Sequence, residues 1–149
     1  ADALILAAAG LIRLGRSEAI GQILSVDRFL PAVGQGALCV EVRTADERTQ
    51  GLVARLDHLA TRQATDAERA CLRRLEGGCQ VPIGAYAEVT GGLLHLRGLV
   101  ASLDGSRLLR DEIRGPAGEA ARLGAELAGR LLASGAAALL QEIERSQTA

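Results

Sequence analysis

The sequence contains no lysine, methionine or tryptophan, and its aromatic residues are one phenylalanine, Phe29, and one tyrosine, Tyr86. Each absence excludes something. Two aromatic side chains are too few for the platforms on which single-stranded nucleic acid stacks its bases, and a net charge of -1 gives no bias toward a phosphate backbone; nucleic acid is not an expected partner. No apolar stretch reaches the roughly 18 uncharged residues that a membrane span needs, so no membrane association is expected either. The three cysteines form no Cys-x-x-Cys pair and the two histidines, His58 and His95, stand far apart, so no zinc or iron–sulfur signature is present and no metal is expected. An odd cysteine count behind a start unlike a signal peptide argues against a disulfide scaffold and for a reducing, cytoplasmic setting.

What is present is aliphatic. The 149 residues are 48% hydrophobic, enough for one or two small cores of Leu, Ile, Val and Ala. Residues 4–8 are an apolar run of strand length, reached so abruptly that the chain reads as cut from something longer. Residues 10–16 read as a short helix and residues 17–24 as a further helical turn. Leu30-Pro31-Ala32-Val33-Gly34-Gln35-Gly36 is a Pro/Gly loop, the best linker or hinge in this part of the chain. Beyond it residues 37–42 are apolar enough for a buried strand, followed by a helix over about 46–56.

The remainder reads as a compact α+β unit. Thr65-Asp66-Ala67-Glu68 has the form of a capping box, on a helix that starts there or earlier, near Leu59, and stops at Gly77. Residues 83–89, 93–101 and 107–113 are strand candidates joined by Thr90-Gly91-Gly92 and Asp104-Gly105, both hairpin signals. A three-stranded antiparallel meander follows. Gly115-Pro116 then opens a helix to about residue 133, and Ser134-Gly135 separates it from a last one ending near Arg145. Helices are expected to cover one face of the sheet.

Cys79 has the most unusual context. It follows two glycines, where a helical pattern stops and a strand pattern begins, in Leu75-Glu76-Gly77-Gly78-Cys79-Gln80-Val81-Pro82-Ile83-Gly84. Most free cysteines are small buried hydrophobes, so the residue by itself leaves packing and chemistry both open, while the sharply turning backbone suits a reactive group. Cys39, inside Ala37-Leu38-Cys39-Val40, and Cys71, on a helical face with Ala64, Ala67 and Leu75, read as packing residues.

Three segments together carry a resemblance: Leu30 through Ala37; Glu68-Arg69-Ala70 with Arg74 through Gly84; and the opening Asp2-Ala3-Leu4-Ile5-Leu6-Ala7 through Gly10-Leu11-Ile12-Arg13-Leu14-Gly15. In this order and spacing they resemble porphobilinogen deaminase, also called hydroxymethylbilane synthase, over nearly the whole chain. The resemblance implies a transferase of tetrapyrrole (heme) biosynthesis that joins four porphobilinogen units head to tail with release of ammonia. It implies a dipyrromethane cofactor held by a thioether on Cys79, with porphobilinogen and the growing pyrrole chain as partners. A thiolate is a strong nucleophile for an electrophilic methylene, and the thioether formed is a stable anchor.

Further positions follow from the same resemblance. Arg13 falls where the family binds acetate and propionate groups, a task suited to guanidinium; outside the resemblance it reads as a solvent-facing helix arginine. Gln35 and Gly36 fall near the cofactor, with Gln35 either bonding a pyrrole substituent or holding its turn. Arg69, Arg73 and Arg74 read as solvated helix faces. The implied architecture is a C-terminal cofactor-anchoring α+β domain at 58–149, preceded by α/β remnants of two periplasmic-binding-protein-like domains: the end of the second at 1–30, and a hinge, strand and helix returning to the first at 31–57.

The family's essential aspartate belongs to a region that no segment here matches. Asp2, Asp27, Asp46, Asp57, Asp66, Asp104 and Asp111 all stand in other contexts. The expectation is therefore a monomeric full-length enzyme, of which this chain alone is inactive and self-associates through strands that lack neighbours. The alternatives are a non-catalytic α+β binding module that has kept the fold, and a thiol redox protein, for which no resolving cysteine pattern is present.

Overall fold

A computed structural model describes residues 2–75 and 81–148. Its centre is a three-stranded antiparallel sheet, β1 (Ile83–Thr90), β2 (Leu93–Ala101) and β3 (Leu108–Pro116), in the order β1-β2-β3. The β1–β2 connection is a two-residue hairpin in which Thr90 pairs with Leu93 and Gly91 and Gly92 take φ of 58° and 78°. Positive φ at both central positions is what the right-handed twist of a tight hairpin demands, which is why two glycines stand there. β3 runs three residues beyond the expected strand, to Pro116 opposite Leu93. A proline at a strand end sacrifices no ladder bond, and the helix expected to open at Gly115 begins instead with a short turn at Ala117–Glu119.

Among the described residues five α-helices accompany the sheet: α1 (Ala8–Arg13), α2 (Glu47–Val53), α3 (Leu59–Leu75), α4 (Ala120–Leu131) and α5 (Ala137–Thr148). Ala67, Cys71 and Leu75 of α3 and Leu123, Leu127 and Leu131 of α4, each at four-residue spacing, form buried stripes. They meet Ala85 and Ala87 of β1, Leu94, Leu96 and Val100 of β2 and Ile113 of β3, while Leu139, Leu140 and Ile143 of α5 complete the core. α3 and α4 approach unusually closely at Gly124. A Cβ there would stand 2.1 Å from the carbonyl oxygen of Ala67, so only glycine fits. The stretch Ala117–Ser146 is long and apolar enough, by composition, to cross a membrane. Here it is broken at Gly135, whose φ of 117° is not helical, and its apolar stripe is spent on the sheet.

Two local expectations change. The capping box at Thr65 is not used as a cap, because α3 already begins at Leu59. His58 precedes it, with Nδ1 2.8 Å from the Thr61 hydroxyl and 3.4 Å from its amide, and the Thr65 hydroxyl donates back to the carbonyls of Thr61 and Arg62, both at 3.0 Å. Residues 4–8 and 37–42 do not form strands, contrary to the α/β character expected of residues 1–57. A strand is stabilised by its neighbours, and none of the described strands lies beside either run. Leu4, Ile5, Leu6, Leu38 and Val40 are exposed in consequence, and so is Cys39, which was expected to be packed.

Candidate functional site

Cys79, with Gln80 beside it, lies outside the described residues, but both flanks of its segment are fixed. On one side the described part of α3 runs to Leu75, which is buried in the core. On the other, the Pro82 carbonyl accepts the amide of Ala101 at 2.9 Å, tying the approach to β1 onto the end of β2. The described flanks are thus a packed helix and a strand held to its neighbour.

The second component is the Pro/Gly loop. Ala32 and Gly34 accept amides from Gln35 and Ala37 at 3.0 and 3.1 Å, making two successive turns. Gly34 and Gly36 have φ of 72° and 90°, a region that disfavours any side chain. The loop does not hang free. The Gly34 amide donates to Oε2 of Glu68 at 2.7 Å, and Oε1 of the same carboxylate accepts the Ala87 amide at 2.8 Å. One side chain on α3 therefore holds both the hinge turn and the outer edge of β1.

Glu68 is only 5% exposed. Burial pushes its carboxyl above the ordinary glutamate range, opposed by the two amides and by the positive charge of Arg69. This is the residue the sequence reading missed, having placed it in a capping box. A signal was available, because a glutamate between Ala67 and Ala70 lies on the apolar stripe rather than on the solvent face.

Arg13 closes α1, where its charge complements the helix dipole. Its guanidinium makes no ion pair or hydrogen bond among the described residues, and none joins it to Gln35 or Gly36. Among the described residues it is thus an exposed cation with no partner. Arg69, Arg73 and Arg74 are exposed on α3, as expected. Cys71 is fully buried and its thiol is pushed up to about 11 by burial, which leaves almost no thiolate at neutral pH. Among the described residues no group of His, Cys, Asp or Glu is arranged to hold a metal ion.

Comparison with known proteins agrees with this geometry. Residues 62–133 match the family model of the porphobilinogen deaminase C-terminal domain, and residues 1–51 match that of the porphobilinogen deaminase dipyromethane cofactor binding domain. A curated relative, porphobilinogen deaminase from Carboxydothermus hydrogenoformans, is 51% identical over 144 residues, covering 97% of this chain and 46% of that protein. The chain spans about half the length of the relative it matches. Two family models in sequence and this identity across nearly every residue lead to one assignment: the chain belongs to the porphobilinogen deaminase family.

Proposed function

We propose that this chain is the cofactor-anchoring part of an enzyme that joins four porphobilinogen units into hydroxymethylbilane, releasing ammonia, in tetrapyrrole biosynthesis. The observation that carries the reading is the Glu68 tie. It holds the turn containing Gln35 and Gly36 against α3, the helix whose C-terminal end leads into the Cys79 segment. Gly34 and Glu68, 34 residues apart in sequence and both within segments that carry the resemblance, are thereby joined. The domain division at 1–30, 31–57 and 58–149 belongs to the same proposal, as do a monomeric complete enzyme and a cytoplasmic setting.

The residues present suit a dipyrromethane group. Arg13 is exposed and has no partner among the described residues, which suits a guanidinium that clamps acetate or propionate. Gln35 offers a donor and an acceptor on a turn whose own bonds are made by backbone, so its side chain is spare. Cys79 would hold the group through a thioether, its thiolate being a strong nucleophile for the electrophilic methylene left when ammonia departs. When bound, the group supplies the pyrrole end from which the chain grows. Cys79 reacts once and afterwards holds, while Arg13 neutralises carboxylates and Gln35 orients a ring.

No aspartate of this chain stands in the family's catalytic context, so the 149 residues alone are expected not to turn over porphobilinogen. Supplying porphobilinogen to the purified chain and measuring hydroxymethylbilane tests this. Formation at a rate near that of a complete enzyme would overturn it.

A further inference from the structure

Residues 27–34 are tied to the sheet on both of its faces. Strand register sorts those faces: Val100, Gly98, Leu96 and Leu94 of β2, paired with Ile83, Ala85, Ala87 and Val89 of β1, point toward the helices. The opposite face carries Gly84, Leu99 and Arg110 in one row and Tyr86, Arg97 and Glu112 in the next. No helix covers it. The chain entering the hinge does.

Contact begins at β3. Arg110 donates through Nη1 to the Asp27 carbonyl at 3.1 Å and through Nη2 to the Arg28 carbonyl at 2.9 Å, gripping a turn closed by the Arg28 and Phe29 amides on the Ser25 carbonyl. Arg97 pairs with the carboxylates of both Asp27 and Glu88 and lies 5.3 Å from the Tyr86 ring centroid. The chain then crosses β1 at Gly84, where a Cβ would meet Leu30 Cβ at 3.1 Å and the Pro31 carbonyl oxygen at 3.3 Å. Past that edge Val33 packs on the helix-side core and Gly34 reaches Glu68.

We infer that residues 27–34 are a strap wound round the free edge of β1, and that Arg97, Arg110 and Gly84 are positioning residues that fix, through the strap, where the Gln35–Gly36 turn sits. Among the described residues β1 has a partner strand on one side only, and an uncovered edge is a template for pairing with another chain. The strap covers it and at the same time delivers the turn to α3. The Arg97–Asp27 pair is a minor part of the seat, because Asp27 is 77% exposed and solvent screens it. The two carbonyl bonds of Arg110 and the bare backbone at Gly84 are the larger part, since a guanidinium fork holds two acceptors in a fixed geometry and any side chain at 84 would lift the strap. The inference rests on packing and is independent of the chemistry proposed for Cys79.

Hydrogen exchange read by mass spectrometry on the 149-residue chain tests it. Arg110→Ala, on an exposed face, and Gly84→Val are each expected to speed exchange about fivefold or more at the amides of residues 28, 29, 34, 35 and 37 while leaving α4 as slow as in the parent. Unchanged exchange across 28–37 in Arg110→Ala would overturn the strap. Equal acceleration in α4 in that variant would overturn it as well, because the arginine would then serve the fold as a whole rather than the position of the turn.

Discussion

Replacing Gly124 by alanine probes the contact on which the position of α3, and with it Glu68, depends. The new Cβ would lie 2.1 Å from the Ala67 carbonyl oxygen and 2.9 Å from the Ala70 Cβ, against an ordinary contact of 3.4 Å or more. α4 would have to retreat by about 1.3 Å from a backbone atom that cannot rotate away, and overpacking of this kind costs roughly 1–3 kcal/mol, with this case at the upper end. Alanine returns about 1 kcal/mol of helix propensity, leaving a net loss of about 2 kcal/mol. Gly129, in the same helix, has nothing within 4 Å of its would-be Cβ, so Gly129→Ala keeps the propensity gain of about 1 kcal/mol and gives up nothing. The two variants should therefore differ by about 3 kcal/mol, or roughly 6–12 °C in Tm at this chain length. Calorimetry or thermal circular dichroism measures both. Equal Tm values, or a Gly124→Ala variant more stable than the parent, would refute the close approach of α3 and α4.

Three further outcomes follow from the site. Glu68→Ala leaves the buried Ala87 amide without an acceptor at a cost of about 1–3 kcal/mol and frees the Gly34 amide to exchange; urea denaturation and hydrogen exchange check the two effects, and an unchanged Gly34 amide would deny the tie. Because burial holds the Glu68 carboxyl above its ordinary value of 4.5, the folded chain binds that proton more tightly than the unfolded chain. Its stabilising contribution is complete below about pH 4.5 and is lost as pH rises through the higher folded-state value. Parent stability measured against Glu68→Gln should accordingly fall over that window, and a difference that grows with pH would contradict the assignment. Alkylation of the native chain near pH 7.5, followed by peptide mapping, should label exposed Cys39 and spare Cys71, whose thiol stays protonated until the core opens; rapid labelling of Cys71 would mean that α3 is not packed as described.

The C-terminal fold was legible in the residues because each element there carries its own pattern. Two adjacent glycines marked the first hairpin, Asp104-Gly105 marked the second, and the 67/71/75 and 123/127/131 spacings marked the helices that cover the sheet. The two runs read as strands in the first 57 residues had the composition of strands but not the neighbours, and composition does not supply a ladder. Glu68 was hidden for a related reason. Its local context, Thr-x-x-Glu, fits a helix start, whereas its role is set by Gly34 and Ala87, 34 residues before it and 19 after. The arginines divide along the same line: nothing local separates Arg110, which grips a turn 82 and 83 residues away in sequence, from the solvated Arg73 and Arg74. The resemblance pointed to Cys79, Arg13, Gln35 and Gly36, and the long-range bonds show what holds the turn of the last two in place.

The central claim, that Cys79 is a covalent anchor, is tested most directly in a chimera in which these residues replace the corresponding part of the Carboxydothermus hydrogenoformans porphobilinogen deaminase. Intact-mass and peptide-mass measurement on the purified chimera should find an added mass equal to two linked pyrrole units on the peptide containing Cys79, and Cys79→Ser should abolish both the added mass and turnover of porphobilinogen. A chimera that forms hydroxymethylbilane while its Cys79 remains unmodified would contradict the account.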